Sequence, residues 1–258
     1  MIFKFFQTFV ISAVSNVITK RVIFLLLFVV FSSSADGAYD KTDIENWLKH
    51  AESTLARTNS YTAIFHKQER IKQKLTEKET IFLKFKKPFK VYMKWVKEPF
   101  KGRESLYIDG YNDNLIKVRE CGIAGIFTVD LDPKGTLVMK GNRHPVTHSG
   151  IENLVQLIKR NWERGVSAGE IDISEKGEES VYGRTTKKVE MVFPKKKENS
   201  YYCHRALINF DVETKLPIRV HIYDWNDTLL ESYGYEAIKL DAGLTEADFD
   251  PNNPEYGF

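Results

Sequence analysis

The chain has 258 residues, with 38 lysines and arginines against 35 aspartates and glutamates, a formal charge of +3. That length, with 42% apolar residues, suits one or two globular domains and excludes a disordered chain. The small charge excludes a nucleic-acid binder and two cysteines exclude a disulfide-built scaffold.

Residues 1–35 hold Lys4, Lys20 and Arg21 and no acid, so the net charge belongs to this segment and the remainder is formally neutral. Lys20-Arg21 precede the ten-residue apolar run Val22–Phe31. That run is short of the roughly 20 residues that span a bilayer, and Ser33-Ser34-Ala35 supplies small residues for cleavage. Residues 1–35 therefore read as a signal peptide and 36–258 as one exported, periplasmic domain; an uncleaved anchor is the lesser reading. Export places Cys121 and Cys203 where a disulfide between them can form, with two free thiols as the alternative.

The exported part opens on a helix. Thr42-Asp43-Ile44-Glu45 has the spacing of a capping box, and Ile44, Trp47, Leu48, Ala51 and Leu55 form one apolar stripe. Tyr61, Ala63 and Phe65, then Ile81, Leu83 and Phe85, then Phe89, Val91, Met93 and Trp95 alternate as strands do. Leu106-Tyr107-Ile108, the Asp109-Gly110 turn and Leu115–Val118 continue the meander. A second helix, Ile151, Leu154, Val155, Ile158 and Trp162, starts after Ser149-Gly150 and is predicted to stop at Gly165. Strands follow at 170–174, 184–193, 203–211, 218–224 and 229–238. The prediction is a mainly β (α+β) fold: an open antiparallel half-barrel of about ten strands with helices over its concave face, since a sheet of that size curls.

The strand region resembles the LolA/LolB-like fold of bacterial lipoprotein carriers, and most closely a related family of exported domains of uncharacterised function. The residues that carry the resemblance are Ser60-Tyr61, Ala63, Phe65 and Gln68, then Leu83-Lys84-Phe85-Lys86-Lys87-Pro88-Phe89, Trp95, Pro99 and Asp109-Gly110. Thr214, Leu216-Pro217, Asp224, Tyr235, Leu244, Phe249 and Pro251 complete them. The resemblance implies an incomplete barrel whose helices form a lid and whose cavity takes acyl chains. Such carriers often have arginine where this chain has Lys87, which lacks arginine's planar fork. The segment 195–202, Lys195-Lys196-Lys197 through Tyr201-Tyr202, fits no carrier pattern.

On this reading Phe65, Leu83, Phe85, Met93, Trp95 and Leu106 form the floor of an apolar site, and Trp47, Leu154 and Trp162 its lid. Its ligand would be a lipid or a lipoprotein acyl chain; the alternative is an envelope interaction or sensor domain with a filled core. Residues 67–103 carry 13 basic and 4 acidic side chains, whereas 224–258 carry nine acids and only Lys239. Lys84, Lys86, Lys90 and Lys94, with Lys87, would present a basic surface to an anionic membrane or an envelope protein. His144 and His148 with Glu152 have the composition of a zinc site, but Pro145 breaks the helical geometry, so no metal is assigned. No nucleophile elbow, phosphate loop or Cys-x-x-Cys occurs, so neither a catalytic residue nor a cofactor is assigned.

Overall fold

The computed structural model describes residues 41–195 and 201–258, and the proposed export segment lies outside the described residues. The first strands are β1 (Ser60–Ile71), β2 (Lys74–Leu75), β3 (Glu79–Lys86), β4 (Lys90–Trp95), β5 (Glu104–Ile108), β6 (Ile116–Arg119) and β7 (Thr128–Leu131). β8 (Asp172–Val181), β9 (Arg184–Val192), β10 (Arg205–Asp211), β11 (Pro217–Tyr223) and β12 (Leu229–Leu240) follow. The α-helices among the described residues are α1 (Lys41–Arg57), the single turn α2 (Thr136–Met139) and α3 (Ile151–Ala168).

All twelve strands among the described residues belong to one sheet in the order β7-β6-β5-β4-β3-β1-β12-β11-β10-β9-β8, with β2 hairpinned onto β1. The sheet curves without closing, so the expected open half-barrel is observed. The last strand, β12, enters between β1 and β11 and joins the two halves, leaving β7 and β8 as the edges. β7 and most of β8 were missed from the sequence. β8 (DISEKGEESV) is half-exposed and polar along most of its length, so it lacks the apolar alternation by which a strand is read.

The helical stripes are buried as predicted: Ile44, Leu48, Ala51 and Leu55 on α1, and Ile151, Leu154, Val155, Ile158 and Trp162 on α3. α1 is described from Lys41, so Thr42 lies within the helix rather than at its cap. Gly165 does not end α3, which runs to Ala168 and closes on Gly169 in the left-handed conformation. Gly165 is needed instead for close approach: a Cβ there would stand 2.7 Å from the Ile171 Cβ. Gly150 starts α3 at φ 106°, a conformation other residues rarely adopt, and the next amide, of Ile151, donates to the Tyr61 hydroxyl at 2.9 Å.

Over the β8–β11 half the interior is filled. Trp47 of α1 stands edge-on to Phe210 of β10 at 5.4 Å, and Val189, Met191, Ile208 and Val220 are buried around them. The β10–β11 turn is tied by the buried Asp211, which accepts a two-pronged bond from Arg184 at 2.6 and 2.8 Å and the Thr214 amide at 2.7 Å. Burial works to raise the Asp211 carboxyl, but the bonds from Arg184 and Thr214 outweigh it and hold it at about 2, against an ordinary 3.8. Because the folded value is the lower one, the stabilisation is complete above pH 3.8 and is lost as pH falls toward 2. Acid unfolding of Asp211→Asn should therefore be flatter than wild type across that window, with lower stability above it.

Candidate functional site

The register of the other half of the sheet lines up a floor. Tyr235 on β12, Phe65 on β1, Ile81 on β3 and Trp95 on β4 are successive cross-strand partners in one row. Met93 on β4, Ser105 on β5, Val118 on β6 and Val129 on β7 form the next. Side chains in such a row share one face of the sheet. Above them lies the strap 136–148, which contributes Leu137, Val138 and Val146, and beside it α3 contributes Leu154 and Leu157. The space between floor and strap is a cavity of about 980 Å³.

One end of the cavity is polar and crowded. Glu69, Glu79 and Glu231 are all buried and all line it. Glu231 accepts from Arg143 Nε at 2.5 Å and from the Tyr202 hydroxyl at 2.6 Å. His144 Nε2 lies 3.1 Å from the same carboxylate and 2.7 Å from the Tyr202 oxygen. Glu69 accepts the Arg143 amide at 2.8 Å and the Tyr233 hydroxyl at 2.5 Å. Glu79 accepts the Trp95 indole at 2.6 Å and Lys67 at 3.2 Å, and Lys67 also donates to Asn142 of the strap. Two buried carboxylates thus hold the strap down through Arg143 and His144. Burial works to raise the Glu231 carboxyl, and the bonds from His144, Tyr202 and Arg143 outweigh it and hold it below the ordinary range. Burial and the neighbouring Glu231 push the Tyr202 hydroxyl well up, so it remains a proton donor.

The predicted site residues divide. Phe65, Met93, Trp95 and Leu154 line the cavity. Leu83 and Phe85 are packed in the main core instead, Phe85 stacked on Tyr61 at 5.1 Å. Trp47 and Trp162 pack with the main core and are absent from the cavity wall, so the strap, with α3, is the lid rather than a pair of helices. Leu106 faces the opposite side of the sheet, where it packs with Tyr92 and Phe249. Four of the five residues of β5 are buried, so both faces are covered and burial alone does not tell the faces apart. The strap, Tyr202 and the buried acids were missed; Glu69 and Glu231 carry a legible signal, being carboxylates at positions in phase with the apolar rows of β1 and β12.

The basic surface is corrected. Lys84, Lys86, Lys90 and Lys94 point away from the cavity but are not free for a membrane, because the acidic C-terminal segment covers that face. Lys84 is buried and donates to Asp248 at 2.8 Å and to the Tyr256 hydroxyl at 3.1 Å. Lys86 and Lys90 share Glu246, and Lys94 pairs with Glu104 at 3.0 Å. Tyr256 stacks on Tyr92 with centroids 3.9 Å apart. Lys87 donates to the Leu55 carbonyl at the end of α1 at 2.6 Å and pairs with Glu152 in the first turn of α3 at 2.9 Å. A point charge suits that bridge between a helix C-terminus and a carboxylate.

Glu152 is thereby directed to Lys87 and His144 to Glu231, so the three zinc-type residues do not converge, and no metal-holding group occurs among the described residues. Cys121 and Cys203 are free thiols rather than a disulfide; Cys203 is buried, which pushes its thiol up to about 12. No helix among the described residues is long and apolar enough to cross a membrane.

A family model described as a protein of unknown function, DUF1571, matches residues 58–258. The chain belongs to that family. No curated protein matches this DUF1571 chain. It is similar to the solved structure of MucB, at 14% identity over 81% of this chain and 62% of that one, with a TM-score of 0.46. It therefore spans less than two thirds of MucB. It is also similar to the lipoprotein LppX of Mycobacterium tuberculosis, at 9% identity over 82% of this chain and 100% of that one, TM-score 0.48. A LolA superfamily protein of Nitrosomonas europaea is similar at 11% identity over 80% and 97% of the two chains, TM-score 0.33.

Proposed function

We propose that this DUF1571 chain is an exported, non-catalytic binding protein of the periplasm that holds a lipid or lipoprotein acyl chain between the sheet and the strap. Residues 1–35 would serve as its signal peptide. The observation that carries this reading is the cavity of about 980 Å³, with two mainly apolar rows running over seven strands as its floor. That volume is at the upper end of small-ligand sites. Each methylene removed from water contributes about 0.8 kcal/mol, so a chain of ten or so is held without a specific hydrogen bond. The polar groups of the cavity are largely engaged with one another, which favours an apolar occupant over a polar one.

The alternative, an interaction domain with a filled core, fits the β8–β11 half but leaves the space over β1 and β3–β7 without a purpose. Protein purified from its native envelope should carry lipid, detected by mass spectrometry of organic extracts and enriched over an exported control protein. After delipidation it should bind a fluorescent fatty acid at one site. An extract no richer than the control, together with no saturable probe binding, would reject the carrier reading.

A further inference from the structure

All the large apolar side chains that are exposed among the described residues fall between 111 and 137, although the chain has apolar residues throughout: Tyr111, Ile123, Phe127, Val129 and Leu137. Ile123 is 92% exposed, Leu137 74% and Phe127 69%. Scattered exposed leucines need no explanation, but a cluster on one edge marks a surface that meets something. Two of these side chains adjoin the cavity. Val129 is the outermost member of the Met93–Ser105–Val118 row, and Leu137 both lines the cavity and projects to solvent.

Its strap end is mainly positive, although Asp113, Glu120 and Asp130 accompany the apolar residues earlier in the chain. From 132 to 148 the chain carries Lys134, Lys140 and Arg143 against Asp132 alone. Arg143 is used on Glu231, but Lys134 and Lys140, and Arg160 on α3 beside the same cavity, are exposed and form no ion pair among the described residues. The lysines of β3 and β4, by contrast, are neutralised within the fold. Burial, with the neighbouring His144 and the positive charges of Lys134 and Arg160, holds the His148 imidazole below its ordinary value.

We propose that this rim, Ile123, Phe127, Val129 and Leu137 with Lys134 and Lys140, docks on the surface of an anionic lipid bilayer, with the open edge of the cavity against the lipid. Apolar side chains that enter the interface and cations that meet anionic headgroups act together in such docking. A peptide added along β7 fits less well. That strand has four residues, and Ile123 and Leu137 lie outside it, so strand pairing would leave the most exposed side chains unused. The proposal is independent of what occupies the cavity: docking can fail while acyl-chain binding persists, and the reverse.

The test uses the full chain with Cys121→Ser, leaving the buried Cys203 unreactive, and an environment-sensitive fluorophore on one new cysteine. Phe127→Cys and Leu137→Cys report on the rim, and Glu178→Cys, exposed on β8, is the control. Vesicles are phosphatidylcholine alone or with about a third phosphatidylglycerol. Probes at 127 and 137 should blue-shift and be quenched by lipid-borne quenchers on the anionic vesicles, while the probe at 178 does neither, whatever the N-terminal segment does. Lys134→Gln with Lys140→Gln should weaken the rim response at least about tenfold, at roughly fivefold for each cation removed near an anionic surface. A rim response no greater than that at 178, or one equal on neutral vesicles and unaffected by the lysine changes, overturns the proposal. So does protection of the rim probes by an envelope protein alone.

Discussion

Ser105→Trp should leave the protein folded and weaken acyl-chain binding about a hundredfold. Ser105 sits on the cavity floor between Met93 and Val118, where a small side chain leaves space rather than filling it. An indole there occupies room that a chain would use. Displacing three or four methylenes removes about 3 kcal/mol of burial, which is a factor of about a hundred in affinity. Thermal unfolding should change little, because the ring enters an existing void. The contrasting substitution is Val220→Trp in the filled half, where the residue has no exposed surface and extra volume forces neighbours apart. Titration of both variants with a fluorescent fatty acid, beside their melting curves, checks the pair. Unchanged binding by a folded Ser105→Trp protein would remove the cavity from the account.

Arg143→Ala should be the most damaging change at the polar end, costing about 3 kcal/mol of stability, and should release the strap. The asymmetry comes from burial. The Arg143 side chain is 30% exposed and can turn to water, whereas Glu231 has 1% and cannot. Removing the arginine leaves a charge inside with only His144 and Tyr202 to serve it; removing the acid leaves a cation that can be hydrated. Glu231→Gln is therefore expected to be milder than Arg143→Ala. Amide exchange across 142–148 should accelerate in Arg143→Ala while α1 and β9–β11 keep their protection, since those elements pack without the strap. Uniform acceleration across the molecule would show that the strap is not an independently opening unit.

The sequence was most legible where one face of an element is wet. The stripe of α1 and the Tyr61–Ala63–Phe65 row were read in the correct phase because period and burial coincide there. Leu106 failed for the opposite reason, since β5 is covered on both sides. The two tryptophans assigned to the lid illustrate a further limit. Trp47 and Trp162 do face inward from helices that cover the sheet, but inward over β9–β11 is core and inward over β1 and β3–β7 is cavity.

The lysine-rich run and the acidic C-terminal segment were both visible as compositions of opposite sign, and Lys84, Lys86 and Lys90 were correctly placed on the face away from the floor. What their alternation could not say is that the two segments lie on each other, 156 or more residues apart in the chain. The amino-acid sequence alone therefore determined the phases of β1, β3 and β4, the helical faces, the sheet-rich fold class and the polarity of charge, because each depends on neighbours within a few residues. Only the tertiary structure decided which half of the sheet is filled, that Glu69 and Glu231 hold a strap, that Lys84, Lys86, Lys90 and Lys94 are neutralised, and where apolar surface remains exposed. Those are properties of the register and of which distant segment reaches a face first, and no local period encodes them.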